Sequence, residues 1–147
     1  MKWRLNLRTE IEATEIWVVD RLDYWRAFAA GTLEHAGFVV EAYGHYEELA
    51  GGGEKEQRHP DLVLLGCTRS RVEERRLIEE LVRQGSPVLI LSSSLSCDDF
   101  RSLFLAGAID VSPRPNSPDL LLSLVRSDLA DLIQKRQQPR AWFEASL

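Results

Sequence analysis

The chain has 147 residues, of which 44% are hydrophobic, and a formal net charge of −5. This length accommodates one well-filled core and excludes two ordinary domains. The acidic balance, with an isoelectric point near 5.2, argues against general binding to nucleic acid or membranes, because neutralising phosphates requires a basic surface.

Strand and helix patterns alternate in the first half of the chain. Residues 15–20, EIWVVD, form a short apolar run bounded by charge, which predicts a fully buried strand. Apolar residues at helical spacing follow and end at Gly37, after which 38–43, FVVEAY, predicts a second strand. A weak helical segment near 46–50 and a flexible connection over 51–60, GGGEKEQRHP, come next.

The second half continues the alternation. A third strand, LVLLG, ends at Gly66, and a fourth, PVLIL, covers 87–91. Ser96 and Asp99 resemble a capping box before the next helix, which Gly107 ends. A short strand over 108–111 precedes a last helix with Ser117 as its N-cap and Pro118 at its first position. The apolar positions expected to face the core from the two middle helices are Val72, Leu77, Ile78, Leu81, Val82, Phe100, Leu103 and Phe104.

Five buried strands alternating with helices predict an α/β fold, in which a parallel sheet is covered by helices on both faces. We divide the chain into an N-terminal extension (1–14), one domain (15–133) and a C-terminal tail (134–147). A functional site in such a sheet lies at the carboxyl ends of the strands. The residues predicted there are Asp20, Arg21, Gly66, Cys67, Ser92, Ser93 and the loop 112–116.

The usual sequence signals of enzymes and cofactor sites are missing. No glycine-rich phosphate loop follows the first strand, the three histidines lack metal-ligand spacing, and no Gly-x-Ser-x-Gly elbow occurs. We therefore expect no enzymatic activity, no cofactor and no metal. No stretch approaches the roughly 20 apolar residues of a membrane span, and no signal-peptide core is present, so a cytoplasmic protein is expected. Its two cysteines, Cys67 and Cys97, should remain thiols.

Four segments together resemble the response-regulator receiver family, over about 15–132. They are VVD at 18–20, PDLVLL at 60–65, PVLILSSS at 87–94 and AGAIDVSPRPNSPDLL at 106–121. The resemblance implies a flavodoxin-like three-layer α/β/α sandwich whose five parallel strands have the order 2-1-3-4-5. It also implies a role in signal transduction.

The residues at the family's functional positions depart from its pattern. An active receiver carries a phosphoacceptor aspartate, an acidic pair that binds magnesium, a hydroxyl residue, a Lys-Pro pair and a switching aromatic. By this resemblance, Gly66 occupies the phosphoacceptor position, and Asp20 and Arg21 occupy the acidic pair. Ser92 corresponds to the hydroxyl residue, Arg114 and Pro115 to the Lys-Pro pair, and Val111 to the aromatic. It therefore indicates a degenerate pseudo-receiver, because glycine has no oxygen to phosphorylate.

The substitutions around Gly66 lead to two structural expectations. Arg21 either pairs with Asp20 in place of the metal ion or points to solvent, and the bond before Pro115 is expected to keep the family's cis form. Without a phosphoryl ligand, nothing distinguishes two states of the domain, so Val111 has no switch to report.

The function expected from the resemblance is a phosphorylation-independent module that binds a protein partner in a two-component or related bacterial-type system. Its expected contact surface consists of the fourth helix, fifth strand and fifth helix, with Arg101, Asp110, Val111, Asp119 and Arg126. One alternative is a sensor in which Arg114, Ser92 and Arg21 hold a small anion. Another is a redox switch through Cys67.

The two ends of the chain carry further candidate contacts. Trp3, Leu5 and Leu7 alternate with polar residues, which suits an extra edge strand that pairs with another chain. Trp142 and Phe143 in the tail are expected either to pack on the same domain or to contact a partner or a second copy in a homodimer.

Overall fold

A computed structural model describes residues 14–50, 59–67 and 72–137. The predicted extra strand, residues 51–58 of the predicted 51–60 connection, and the aromatic tail residues lie outside these ranges. The strands are β1 (Glu15–Val19), β2 (Val39–Tyr43), β3 (Leu62–Gly66), β4 (Val88–Leu91) and β5 (Asp110–Ser112). The helices are α1 (Asp23–His35), α2 (Glu47–Ala50), α3 (Val72–Arg83), α4 (Cys97–Ala106) and α5 (Pro118–Gln137). None of these helices is long and apolar enough to span a membrane.

The strands form one parallel sheet in the order β2-β1-β3-β4-β5. This order confirms the predicted flavodoxin-like fold. In the register of β3 and β4, Gly66 lies beside Leu91, and Asp20 follows the adjacent end of β1. Because the strands are parallel and in this register, the residues predicted for the site lie together at the carboxyl ends of the strands.

The core has two layers because successive side chains of each strand point to opposite faces of the sheet. Along β3, Leu62 and Leu64 join a cluster with residues of α1 and α5. Val63 and Leu65 join a second cluster with residues of α3 and α4. This alternation explains why β3, buried at all five positions, shows an unbroken apolar run.

The prediction of five buried strands holds only for the centre of the sheet. Every residue of β3 and β4 is buried, whereas β2 and β5 contain no fully buried residue. The physical reason is position: β2 and β5 are the two edges, where one side of the strand has no neighbour.

The predicted buried faces of the two middle helices are partly wrong. Val72, Val82 and Phe104 are 52%, 39% and 46% exposed. The buried positions are Glu74, Ile78 and Leu81 in α3 and Asp99 and Leu103 in α4. Glu74 and Asp99 occupy positions on the buried faces that a search for apolar residues passes over. Apolar spacing alone therefore places the buried faces partly at the wrong residues.

The helix ends follow their predicted capping chemistry. Ser96 Oγ accepts from Asp99 N at 3.2 Å, and Asp99 Oδ2 accepts from Ser96 N at 3.1 Å, which completes the capping box. Gly107 ends α4 with a φ of 116°, a left-handed conformation that favours glycine. Ser117 Oγ accepts from Leu120 N at 3.2 Å at the start of α5.

Candidate functional site

An ion pair between Asp20 and Arg114 lies at the carboxyl edge of the sheet. Arg114 Nε is 3.1 Å from Asp20 Oδ2, and Nη2 is 3.3 Å from Oδ1. Leu22 N also donates to Oδ1 at 2.9 Å. The side chains are only 1% exposed for Asp20 and 10% for Arg114. The contact is a bidentate, buried ion pair, in which two parallel charge-assisted hydrogen bonds fix the relative orientation of the guanidinium and the carboxylate.

Gly66 lies directly against this ion pair. A Cβ atom on Gly66 would be 2.1 Å from Asp20 Oδ2 and 3.0 Å from Arg114 Nη2. The first distance is well below van der Waals contact, so any side chain at position 66 requires the pair to move. The space beyond the end of β3 is thus filled from β1 and from the loop between β5 and α5.

Of the two expectations for Arg21, the structure contradicts the ion pair with Asp20 and agrees with an exposed side chain. Its side chain is exposed, and its guanidinium carbon lies 5.5 Å from the centre of the Tyr46 ring, in cation–π contact. The physical reason is that the Arg114 guanidinium already donates to both carboxylate oxygens of Asp20.

Tyr46 also contacts the carboxyl end of β3, although the sequence patterns did not place it in the site. Its hydroxyl donates to the Gly66 carbonyl at 2.8 Å and lies 3.5 Å from Glu74 Oε1. Burial raises the pKa of Tyr46 far above its ordinary value, so the hydroxyl keeps its proton. Tyr46 thereby connects the segment before α2 to the end of β3 and the start of α3.

Pro115 follows a trans peptide bond, because no cis peptide occurs in the ranges that the structure describes. The expectation of a cis bond is wrong. The trans form is the default, favoured by about 0.5–1 kcal/mol before proline, and it accommodates the Arg114 side chain on Asp20. The Pro115 carbonyl accepts from Trp25 Nε1 at 3.2 Å, which ties this loop to α1.

Ser92 lies at the same edge but takes no part in the ion pair. It is buried, its backbone N–H donates to Ser112 O at 2.9 Å, and its hydroxyl lies 3.4 Å from Ser94 N. Asp20, Gly66 and Arg114 are therefore the three predicted residues that the structure brings into direct proximity.

The predicted contact surface lies at the β5 edge of the sheet. Arg101, Asp119 and Arg126 are exposed, whereas Asp110 and Val111 are half-buried. Val111 packs against the core cluster on the α3 and α4 side. Leu105, one turn after Arg101 on α4, is 79% exposed and adds a large apolar group.

The geometry does not fit the magnesium ion that the receiver family uses. Asp20 is held by Arg114 and Leu22, Gly66 has no side-chain oxygen, and the Gly66 carbonyl accepts from Tyr46. A cation would have to displace the Arg114 guanidinium from Asp20. Within the described ranges, no three His, Cys, Asp or Glu side chains gather as a metal-binding group.

An open cavity of about 310 Å³ lies beside the ion pair rather than within it. It is formed by the loops after β1 and β2, with Arg21 and Arg26 as its cations. Arg26 is already engaged, since it donates to the Asp20 carbonyl at 2.8 Å and pairs with Asp23 at 2.7 Å. The remaining lining residues are Asp23, Ala42, Gly44, His45 and Glu48.

Cys67 is buried and Cys97 is exposed, both as free thiols. Burial and the neighbouring Glu74 carboxylate raise the pKa of the Cys67 thiol well above its ordinary range. A thiolate is the reactive form of cysteine, so this environment argues against the redox-switch alternative.

We expect Cys97 alone to react with a chromogenic thiol reagent in the native protein at pH 8. One thiol per chain should be titrated before unfolding and two in concentrated urea, because only Cys97 is accessible. Cys97→Ser should abolish the native reaction. Fast native labelling of that variant would contradict the inert environment assigned to Cys67.

Comparison with known proteins identifies the fold by structure and not by sequence. No protein-family model matches the chain, and no curated protein matches it. A CheY-like receiver domain protein from Methanospirillum hungatei JF-1 superposes with a TM-score of 0.71 at 22% identity, covering 84% of this chain and 98% of that one. A response regulator from Thermotoga maritima gives a TM-score of 0.68 at 24% identity, covering 80% and 98%.

NtrX from Brucella abortus, solved in complex with ADP, is a longer neighbour. It gives a TM-score of 0.71 at 27% identity, and the match covers 85% of this chain but 29% of that one. The matched region is thus one part of a larger protein. These likenesses show that the chain has the CheY-like receiver fold.

Proposed function

We propose that the chain is a receiver-like signalling module that works without phosphorylation and acts by binding a protein in a two-component or related regulatory system. The receiver fold of its structural neighbours supports the signalling role. The single observation that carries phosphorylation independence is the Asp20–Arg114 ion pair against Gly66, which fills the space beyond β3.

The chemistry follows from that filled space. An acyl phosphate needs a carboxylate oxygen, and Gly66 supplies none. The neighbouring carboxylate, Asp20, is buried under Arg114 and is not presented to a phosphodonor. A domain with no phosphoryl ligand has no differential affinity with which to shift between two conformations. The proposed module therefore presents a partner surface that does not depend on phosphorylation.

The surface we assign to the partner consists of α4, β5 and α5. Arg101 and Leu105 project from the same side of α4, since residues four apart lie on one helix face. Asp119 and Arg126 provide exposed charges on α5. We assign this surface because Leu105 gives it an exposed apolar group beside the charged Arg101.

Incubation with a small-molecule phosphodonor and magnesium should leave the intact mass unchanged. No acceptor carboxylate is present at position 66, and Asp20 is held by Arg114. A receiver domain with an acceptor aspartate serves as the positive control in the same buffer. A stoichiometric phosphoryl adduct on this chain would overturn the proposal.

Partner binding is tested by affinity capture from the native cell extract, with and without phosphodonor. The proposal expects the same captured protein in both conditions. Arg101→Glu combined with Leu105→Glu should abolish its capture, whereas Glu34→Lys, on the exposed side of α1, should not. Equal capture by all three proteins would remove α4 from the contact surface.

The alternative of an anion sensor in the former phosphorylation pocket has weaker support. Arg114 would have to leave Asp20 to bind an incoming anion, and Arg21 lies on Tyr46. A thermal-shift screen against phosphate, small carboxylates and nucleotides distinguishes the two functions, since only the sensor expects stabilisation at saturating ligand.

A further inference from the structure

A buried carboxyl pair joins α5 to the edge strand β5. Asp128 lies on the side of α5 that faces the sheet, in line with Leu121 and Val125, and is only 7% exposed. Its Oδ2 atom is inaccessible to solvent, and no N–H or O–H donor of the described residues reaches it. The Asp110 side chain of β5 interacts with the Asp128 carboxyl, both through its charge and as a hydrogen-bond partner.

Two carboxyl groups in such contact require a shared proton. An ionised carboxylate only accepts hydrogen bonds, so a bond between two of them exists when one is protonated. One Asp110 oxygen already accepts from Val111 N at 2.9 Å. A proton on one of the two carboxyl groups would supply the donor that the Asp128 carboxyl lacks.

The electrostatic surroundings favour this proton. Loss of hydration on burial is the main effect that raises the pKa of Asp128 from 3.8 to about 7, and the negative charges of Asp110 and Asp131 add to it. Asp110 faces Asp128 from β5, and Asp131 lies one turn along α5. Helix α1 also packs on α5, but no charged residue of α1 is among the groups that act on Asp128.

We propose that Asp110 and Asp128 form a proton-binding site that makes the packing of α5 on β5 depend on pH near neutrality. With the proton present, one hydrogen bond closes the helix on the strand. Without it, two like charges meet in a poorly hydrated contact and are relieved only by moving α5 outward. The site lies beneath the surface assigned to the partner but does not depend on partner binding.

The direction of the pH effect follows from linkage. The folded state holds this proton more tightly than the unfolded chain does, since the pKa of Asp128 is raised on folding. The resulting stabilisation is complete below the unfolded value near 3.8 and is lost as pH rises through about 7. Acidification from pH 8 to pH 6 should therefore tighten the α5–β5 contact.

Carboxyl carbon-13 NMR of the wild-type protein tests the proton site directly. The Asp128 signal should titrate with an apparent midpoint near pH 7, because burial and the negative charge of Asp110 raise the pKa of this carboxyl group. Titration of Asp128 with a midpoint near its ordinary value of 3.8 would overturn the proposal. This readout needs no variant and no partner, so it is independent of the proposed signalling function.

Hydrogen exchange tests the effect on packing. Raising pH from 6 to 8 should reduce the protection of α5 amides by about tenfold or more after correction for intrinsic exchange. Asp128→Asn, which keeps the shape without the charge, should remove this pH dependence. Glu79→Gln, at an exposed position of α3, serves as the matched control and should behave as wild type. Equal pH dependence in wild type and Asp128→Asn would refute the coupling.

Discussion

Gly66→Asp is expected to destabilise the protein by about 2–4 kcal/mol and to restore no phosphorylation. Its Cβ would lie 2.1 Å from Asp20 Oδ2, so the ion pair must move. Asp20 cannot move freely, because Leu22 N and Arg114 donate to Oδ1 and Arg114 also donates to Oδ2. The new carboxylate also places a second negative charge beside Asp20, whose only ionic partner among the described residues is Arg114.

Two further glycine substitutions separate the steric contribution to this destabilisation from the contribution of the added charge. Gly66→Ala adds the Cβ without the charge and should cost about 1–3 kcal/mol. Gly31→Ala, where no atom lies within 4 Å of the added Cβ, should instead stabilise α1 by up to about 1 kcal/mol. Urea unfolding at pH 7 measures the three free energies. A Gly66→Asp protein as stable as wild type, or one that takes up a phosphoryl group, would refute the filled-space model.

Arg114→Ala is expected to cost about 3–5 kcal/mol of unfolding free energy, because it leaves a buried carboxylate without its cation. Asp20 is only 1% exposed, and the guanidinium is its sole ionic partner among the described residues. The mutation should also release the loop that carries Pro115, whose carbonyl accepts from Trp25. Chemical denaturation of the wild type and the variant provides the comparison.

A double-mutant cycle distinguishes the pair interaction from general loss of packing. Asp20→Ala combined with Arg114→Ala should be less destabilised than the sum of the two single variants, since removing both charges leaves none unpaired. Arg83→Ala is the control, because Arg83 pairs with Glu80 on the exposed side of α3, where water replaces the partner. If Arg114→Ala changes stability as little as Arg83→Ala, the central role of the Asp20–Arg114 pair is wrong.

The order and type of the main elements were predictable from sequence because they depend on local chemistry. Apolar runs and helical spacing identified the strands and helices, and capping residues such as Ser96 and Ser117 marked helix starts. Parallel connection then required Asp20, Gly66 and Arg114 to meet at one edge of the sheet. The sequence by itself thus determined the fold class and the small set of residues near the candidate site.

Only the tertiary structure decided how those residues contact one another. Arg21 is adjacent to Asp20 in sequence, yet Arg114, 94 positions away, takes the carboxylate. The proximity of Asp110 to Asp128 likewise depends on how α5 lies on the edge strand. These pairings depend on distances and directions that are set when segments distant in sequence pack together. The residues next to a carboxylate on an otherwise apolar helix face do not indicate which residue will be its partner. Residue patterns therefore locate a site, whereas three-dimensional packing selects the bonds within it.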